Sequence, residues 1–307
     1  MSGNIQVDAV VEARTDLGES PVWDERTQRL YFIDINSQKI HIWDNKNKSH
    51  DAIDMPELVG TIILAPDEDQ LVVALTRTIV LLDLKSRKVV GEPLFTVPEE
   101  HGVDKMRFND GKAAPGGALI IGRMHADWRK GSPGRLYMID LRTKQWDEIL
   151  SPEEVGLPNG MAWDEKKQCM YFVDTYHSTI SEFRTDEQGV PVKGESGKYE
   201  RREVVKVPKE DGIPDGMTID RMMNLWVALA EGGVVASYNP MSGKQLGKVK
   251  LPVNKPTACT FGGAVLEQLF VTTRVESGEN APEHWGALLS VKNPGISGAA
   301  GAYVAAL

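Results

Sequence analysis

The chain has 307 residues, of which 41% are hydrophobic and 26% are charged, and these are ordinary values for a protein with a packed core. Its 35 basic and 44 acidic residues give a net charge of −9, which argues against a nucleic-acid partner because such proteins carry dense positive charge. The stretch 198–202 is the nearest thing to a basic cluster, and Glu200 interrupts it.

The N-terminal residues lack the basic region and apolar core of a secretory signal. No stretch approaches the roughly 18 apolar residues that span a bilayer. Cys169 and Cys259 lie far apart in apolar surroundings, which favours two buried thiols over a disulfide or a nucleophile. We therefore expect a cytoplasmic protein without a membrane partner.

In chain order, the first predicted element is an alternating strand in VDAVVEAR (7–14). A pattern then recurs six times: a short strand, a turn, an apolar strand, a polar turn and a third strand. The clearest copies are PVWDERTQRLYFIDINSQKIHIW (21–43), GMAWDEKKQCMYFVDTYHSTISEF (160–183) and the one that begins at Gly216. Weaker copies begin at Thr61, Asn109 and Thr257.

Each copy opens on a residue that stands five positions before a turn residue. The six openers are Glu19, Thr61, Asn109, Asn159, Asp215 and Thr257. They are spaced about 42 to 56 residues apart, which is the size of a propeller blade. Short β-branched and aromatic runs between Gly, Asp, Asn and Pro turns predict an all-β protein.

These repeats predict a six-bladed β-propeller in which residues 1–307 form a single domain. The spare strand at 7–14 is expected to complete the last blade, because ring closure removes exposed edge strands. The inserts 124–134, 190–212 and 274–285 are interpreted as loops, and 190–212 is expected to be the most mobile of them.

The first strand of each propeller blade lines the central channel, so we expect the six openers to lie near one axis. Two carboxylates that converge there, from Glu19 and Asp215, would repel each other unless a cation lay between them. Oxygen ligands without thiolate or imidazole suit Ca²⁺, Mg²⁺ or Mn²⁺ better than Zn²⁺. A lone acid or amide at a strand start is, however, more often only turn chemistry.

Five stretches of the sequence resemble the regucalcin (senescence marker protein), gluconolactonase and luciferin-regenerating-enzyme family. They are LGESPVWDERTQRLYFIDI (17–35), RFNDGKAAPGGALIIGRM (107–124), LPNGMAWDEKKQCMYFVDT (157–175), IPDGMTIDRMMNLWVALAEGG (213–233) and VKLPVNKPTACTFGGAVLEQLFVTT (249–273). The resemblance implies a six-bladed propeller that binds one divalent cation, with Ca²⁺ favoured and Zn²⁺, Mn²⁺ or Mg²⁺ as alternatives.

The resemblance also implies roles for individual residues. The metal ligands fall on Glu19, Asn159 and Asp215, and Asp215 is also the proposed catalytic residue. Arg107 and Asn109 match positions that contact a sugar lactone, and a further substrate-binding acid falls near Asp127. The chain departs from the family at Arg123, where relatives usually carry Thr, and in the loop that follows.

Three functions are consistent with this reading. The first is a metal-dependent lactonase that hydrolyses a gluconolactone-like sugar lactone or a related cyclic ester. The second is a calcium-binding regulator or scaffold without catalysis. The third is a hydrolase of the same fold with another substrate, such as an oxidised luciferin or a phosphoester. The expected partner is the small-molecule lactone, and the chain is expected to be a monomer or weak dimer.

Overall fold

The protein is described here by a computed structural model, in which residues 5–101, 105–127, 129, 134–278, 281–292, 294–295, 297–299 and 302–307 are described. Their regular secondary structure is nearly all β-strand. Six four-stranded antiparallel sheets form a six-bladed β-propeller, as predicted. Two short 3₁₀ helices, Glu99–His101 and Lys209–Asp211, interrupt the strands of the described residues.

The blades follow one another along the chain. The first strand, β1 (Gln6–Val11), precedes blade 1 in the chain. Blade 1 holds β2 (Gly18–Asp24), β3 (Arg29–Asp34), β4 (Lys39–Asp44) and β5 (Ser49–Asp54). Blade 2 holds β6 (Thr61–Leu64), β7 (Gln70–Ala74), β8 (Thr78–Asp83) and β9 (Lys88–Thr96). Blade 3 holds β10 (Met106–Ala113), β11 (Leu119–His125), β12 (Arg135–Asp140) and β13 (Gln145–Leu150).

Blade 4 holds β14 (Pro158–Asp164), β15 (Cys169–Asp174), β16 (Thr179–Arg184) and β17 (Arg201–Lys206). Blade 5 holds β18 (Ile213–Ile219), β19 (Leu225–Ala230), β20 (Val234–Tyr238) and β21 (Gln245–Lys250). Blade 6 holds β22 (Pro256–Gly262), β23 (Gln268–Thr273) and β24 (Leu288–Lys292), with β1 paired beside β24. The prediction that the N-terminal strand completes the last blade is therefore confirmed.

Backbone contacts divide the chain into two compact units. The first is Met1–Met55 with Val204–Gly301, and it holds blades 1, 5 and 6. The second is Pro56–Glu203 with Ala302–Leu307, and it holds blades 2, 3 and 4 up to the middle of β17. The single domain over 1–307 stays a prediction.

The turn residues predicted after each opener include three aspartates whose carboxylates accept backbone N–H groups of their own turn. Asp24 accepts the N–H of Arg26 and Asp164 that of Lys167, at 2.9 and 3.1 Å. Asp220 accepts the N–H of Met222 at 2.8 Å. This is the local hydrogen bonding for which Asp is favoured in turns, and it explains why the pattern repeats.

The predicted loop at 190–212 is wrong in part, because it contains β17 and the 3₁₀ helix Lys209–Asp211. Only Val205 of β17 is buried, so this outermost strand has no alternation of apolar and polar residues that the sequence could reveal. The predicted loop at 124–134 begins inside β11, which runs to His125; its residues 128 and 130–133 lie outside the described part of the chain.

Both cysteines are buried thiols, as predicted. Among the described residues, no helix is long and apolar enough to cross a membrane.

Blade 1 contains a buried histidine whose protonation in acid should destabilise the fold. His41 is 4% exposed, its ring stacks on Phe32 at 4.7 Å, and its Nδ1 lies 2.9 Å from Nε2 of His50. Burial lowers the pKa of His41 to about 4; the nearby His50 also lowers it, Asp34 opposes the shift and Lys39 adds slightly to it.

The unfolded chain binds this proton near pH 6.5, whereas the folded chain binds it only near pH 4. The free energy of unfolding should therefore fall as the pH drops through this window, by about 3 kcal/mol from this one group. Urea unfolding at pH 7 and pH 4 measures the loss. We expect His41→Phe to remove most of it, whereas His284→Gln, which changes a more exposed histidine, should leave it intact. An equal acid loss in the His41→Phe variant would contradict this assignment.

Candidate functional site

The first strand of five blades (β2, β10, β14, β18 and β22) contains a register shift or β-bulge at or beside the opener, and β6 does not. In β10, β14 and β18 the register shifts between Phe108 and Gly111, between Pro158 and Met161, and between Pro214 and Met217. In each case the opener and the next residue oppose one residue of the second strand. Bulges re-aim side chains and are frequent beside active sites. The three openers Asn109, Asn159 and Asp215 thus stand at the same structural position in their blades.

Asn159 is 4% exposed, and it packs against the turn that follows β15. Its Nδ2 donates a hydrogen bond to Oγ1 of Thr175 at 3.0 Å, and the backbone N–H of Thr175 donates to the carbonyl of Leu157 at 3.0 Å. Asp174 accepts the N–H of Leu157 and so holds the same turn. These contacts fix the amide by its nitrogen, and among the described residues its oxygen has no donor.

Asn109 is held differently, by both ends of its amide. Its Nδ2 donates to the carbonyl of Pro158 at 2.9 Å, and its Oδ1 accepts a hydrogen bond from Nη1 of Arg107 at 2.8 Å. The same Nη1 donates to the carbonyl of Phe108. The structure therefore brings together two of the predicted substrate-binding residues, Arg107 and Asn109, and places the residue before Asn159 against them.

Asp127 lies two residues beyond the end of β11. Its side chain is 40% exposed and forms an ion pair with Lys105 at 3.7 Å, and its backbone N–H donates to Nδ1 of His125 at 3.0 Å. This position follows the start of the predicted 124–134 loop. A contact between Asp127 and substrate stays a prediction.

The two predicted carboxylate ligands belong to the first compact unit. Glu19 is half-buried in β2 and pairs with Ile33, directly before a bulge at Ser20. Ser20 has a φ of 48°, in the left-handed region that is uncommon outside glycine and concentrates at functional sites. Blade 1 therefore carries its acid at the edge of a locally strained backbone.

Asp215 is half-buried in β18, and its Oδ1 atom is shielded from solvent. The following residue, Gly216, allows β18 to approach β22 closely. A Cβ atom there would lie 2.3 Å from Cβ of Ala258 and 2.6 Å from its Cα, closer than real contacts allow. The glycine of Pro-Asp-Gly is thus required for packing, which explains one part of the motif that contains Asp215.

Two polar residues beside the openers were missed by the sequence analysis. Thr175 positions Asn159, and the only signal for it was its place after the repeated strand-ending aspartate. Asp110 is the second residue of the bulge in β10. Burial raises the pKa of Asp110, while Lys112 and the N–H of Gly111 oppose the rise. Its sequence context, Asn-Asp-Gly, suggested only a turn.

The donor set of Glu19, Asn159 and Asp215 consists of two carboxylates and one amide, all oxygen donors of the kind that bind Ca²⁺, Mg²⁺ or Mn²⁺. Asn159 fits such a role, since within the described residues no donor bonds to its Oδ1. No cluster of three or more His, Cys, Asp or Glu side chains is found among the described residues. A set with only two such residues and an amide would not form one.

Comparison with known proteins gives the family. Residues 17–275 match the profile of the SMP-30/gluconolactonase/LRE-like region. Regucalcin of Gallus gallus is 33% identical over 276 residues, covering 88% of this chain and 87% of that protein. YvrE of Bacillus subtilis, provisionally named a sugar lactone lactonase, is 32% identical over 274 residues and 88% of each chain.

Solved structures agree in fold. A luciferin-regenerating enzyme superposes with a TM-score of 0.85 at 28% identity, covering 99% of this chain and 100% of that one. A regucalcin of Agrobacterium tumefaciens, described as a calcium-binding protein, superposes with a TM-score of 0.85 at 19% identity over 97% of each chain. The profile match and the relatives above 30% identity show that this chain belongs to the SMP-30/gluconolactonase/LRE-like family.

Proposed function

We propose that this chain is a divalent-cation-dependent hydrolase of a gluconolactone-like sugar lactone or a related cyclic ester. The observation that carries the proposal is the recurrence of acid and amide side chains at one structural position of successive blades, in a chain that belongs to a family with named lactonases. The hydrogen bonding of turns does not by itself require acids or amides at Glu19, Asn159 and Asp215, each five residues before a turn aspartate.

Glu19, Asn159 and Asp215 would hold the cation. When bound there, the cation would supply a Lewis acid for the lactone carbonyl and for the negative charge that develops on it. Ca²⁺ is favoured by the oxygen donors, with Zn²⁺, Mn²⁺ and Mg²⁺ as alternatives.

Asp215 is proposed as the general base. Its carboxylate accepts a proton from the water that attacks the lactone carbonyl. The bond between the carbonyl carbon and the ring oxygen then breaks, and the ring oxygen takes up a proton as the open hydroxy acid forms.

Arg107 and Asn109 are proposed to bind the sugar. Nη1 of Arg107 is engaged by Asn109 and by the carbonyl of Phe108. A guanidinium presents its N–H donors in a fixed fork, a geometry that suits ring hydroxyls and the developing carboxylate. Asp127, whose side chain is partly exposed, would accept hydrogen bonds from hydroxyls of the sugar.

The proposal extends to the setting of the enzyme. The expected partner is the lactone alone, and the protein is proposed to act as a monomer or weak dimer. Two buried thiols without a disulfide fit a reducing compartment such as the cytoplasm.

The test is to strip the protein of metal and to refill it separately with Ca²⁺, Mg²⁺, Mn²⁺ and Zn²⁺. Hydrolysis of D-glucono-δ-lactone and of a panel of other lactones is then measured beside the melting temperature. We expect the metal-free protein to be inactive and at least one cation to restore both turnover and thermal stability, since a bound ligand stabilises the folded state.

Cation binding without turnover of any lactone would sink the lactonase proposal. It would favour the calcium-binding regulator, or a hydrolase that acts on an oxidised luciferin or a phosphoester. If no cation changes either activity or the melting temperature, the proposed metal dependence fails as well.

A further inference from the structure

Arg123 is a fully buried arginine next to the residues proposed to bind the sugar. Its exposed fraction is 0%. It lies in β11, where it pairs with Phe108 of β10, the residue between Arg107 and Asn109. Its guanidinium carbon stands 5.7 Å from the centre of the Phe108 ring. The side chain therefore belongs to the core behind the strand that carries the proposed substrate-binding residues.

Within the described residues, no acid forms an ion pair with Arg123. Its Nε–H is buried there without an acceptor. Burial lowers the pKa of Arg123, the hydroxyl of Tyr137 opposes this shift, and Arg77 and Arg135 add to it. Burying such a cation costs free energy unless specific hydrogen bonds compensate. The hydrogen bonds that Arg123 forms therefore indicate its structural role.

Besides its interaction with the hydroxyl of Tyr137, the guanidinium bonds to the backbone that leads into β10. Nη1 donates to the carbonyl of His101, at the end of the first 3₁₀ helix, at 2.5 Å. Nη2 donates to the carbonyl of Met106 at 3.2 Å, and Met106 directly precedes Arg107. One planar guanidinium thus fixes two points of the chain on the approach to Arg107.

The strand that carries Arg123 also contacts the other side of the proposed binding residues. A Cβ atom on Gly122 would lie 2.5 Å from Cγ of Pro158, so β11 is packed directly against this proline. The carbonyl of Pro158 accepts the hydrogen bond from Asn109. Arg107 and Asn109 therefore lie between the backbone that Arg123 fixes and Pro158, which packs against Gly122 of β11.

We propose that Arg123 is a positioning residue, which holds the start of β10 so that Arg107 and Asn109 keep the geometry that binds the sugar. The inference rests on the proposed function for the identity of the ligand, though not for the hydrogen bonds. Arg123 is fully buried and contacts the backbone and Tyr137, so it acts through Arg107 and Asn109, and its removal changes recognition more than the chemical step.

Arg123→Lys is the test variant, because an ammonium keeps the charge and loses the fork that bonds two carbonyls. Its matched control is Arg135→Lys on the adjacent strand, where the arginine pairs with Glu148. We expect Arg123→Lys to raise KM for the lactone about tenfold, to weaken binding of D-gluconate by the same factor, and to leave kcat and cation binding within about twofold. The control should change none of these values.

Hydrogen exchange gives a readout that does not depend on the proposed function. In Arg123→Lys the backbone amides of residues 105–109 should exchange faster, while those of β22 and β23 stay unchanged. Arg123→Met, which keeps the stem and removes the charge, repeats the test if the lysine variant does not fold. Unchanged exchange at residues 105–109 would overturn the positioning role. If the wild type binds no sugar acid or lactone but exchange still rises in the variant, the proposed function fails and the positioning of β10 stands.

Discussion

Asp215→Asn is expected to lower kcat for lactone hydrolysis by about 10² to 10⁴-fold, the contribution usual for a general base. The substitution preserves the size of the side chain and one oxygen donor, but an amide cannot accept a proton from water at neutral pH. Because Gly216 packs tightly against β22, an isosteric change at Asp215 is the one that disturbs the strand least.

The measurement needs saturating cation, since the variant also loses a ligand charge and should bind the cation more weakly. The turnover of D-glucono-δ-lactone by Asp215→Asn is compared with that by Asp54→Asn. Asp54 lies on the outer strand β5 and pairs with Lys39 of β4. We expect the control to keep wild-type turnover. If Asp215→Asn retained more than about a tenth of wild-type kcat with the cation bound, another group would have to be the base.

The blades could be predicted because each strand carries its own signal. The second strands, such as β3 and β15, are buried almost throughout and appear in the sequence as apolar runs that end in Asp. The turns repeat because Asp24, Asp164 and Asp220 bond to their own backbone. The outermost strands gave no such signal, because a strand like β21, with one buried residue, reads as a polar loop.

The openers could be located from their constant distance to the following turn, but the bulges and hydrogen bonds around them could not be predicted. A bulge depends on pairing with the next strand, so nothing in Pro-Asn-Gly distinguishes it from an ordinary turn. The bond from Asn109 to Pro158 joins residues far apart in sequence. Arg123 is a polar residue in a strand, and only the folded chain reveals that its guanidinium is buried against carbonyl groups.

Trp23→Ala is expected to reduce the free energy of unfolding by about 3 to 5 kcal/mol, the usual cost of emptying a large buried aromatic site. Trp23 is 0% exposed and stacks on Phe270 with ring centres 5.6 Å apart. Gly262 completes the packing, since a Cβ atom there would lie 2.7 Å from the indole. Urea unfolding followed by circular dichroism measures the loss, and a change below about 1 kcal/mol would contradict this packing.

The indole nitrogen gives a sharper comparison. Nε1 of Trp23 is buried without an acceptor in the described chain, whereas Nε1 of Trp163, the equivalent residue of blade 4, donates to the carbonyl of Gly189 at 2.8 Å. Trp→Phe removes similar volume at both positions, but only at Trp163 does it leave a buried carbonyl unpaired, which costs about 1 to 3 kcal/mol. We therefore expect Trp163→Phe to be the more destabilising of the two by about that amount. Equal losses would mean that the repeat-equivalent tryptophans are held by packing alone and that the hydrogen bond to Gly189 adds nothing to the stability of blade 4.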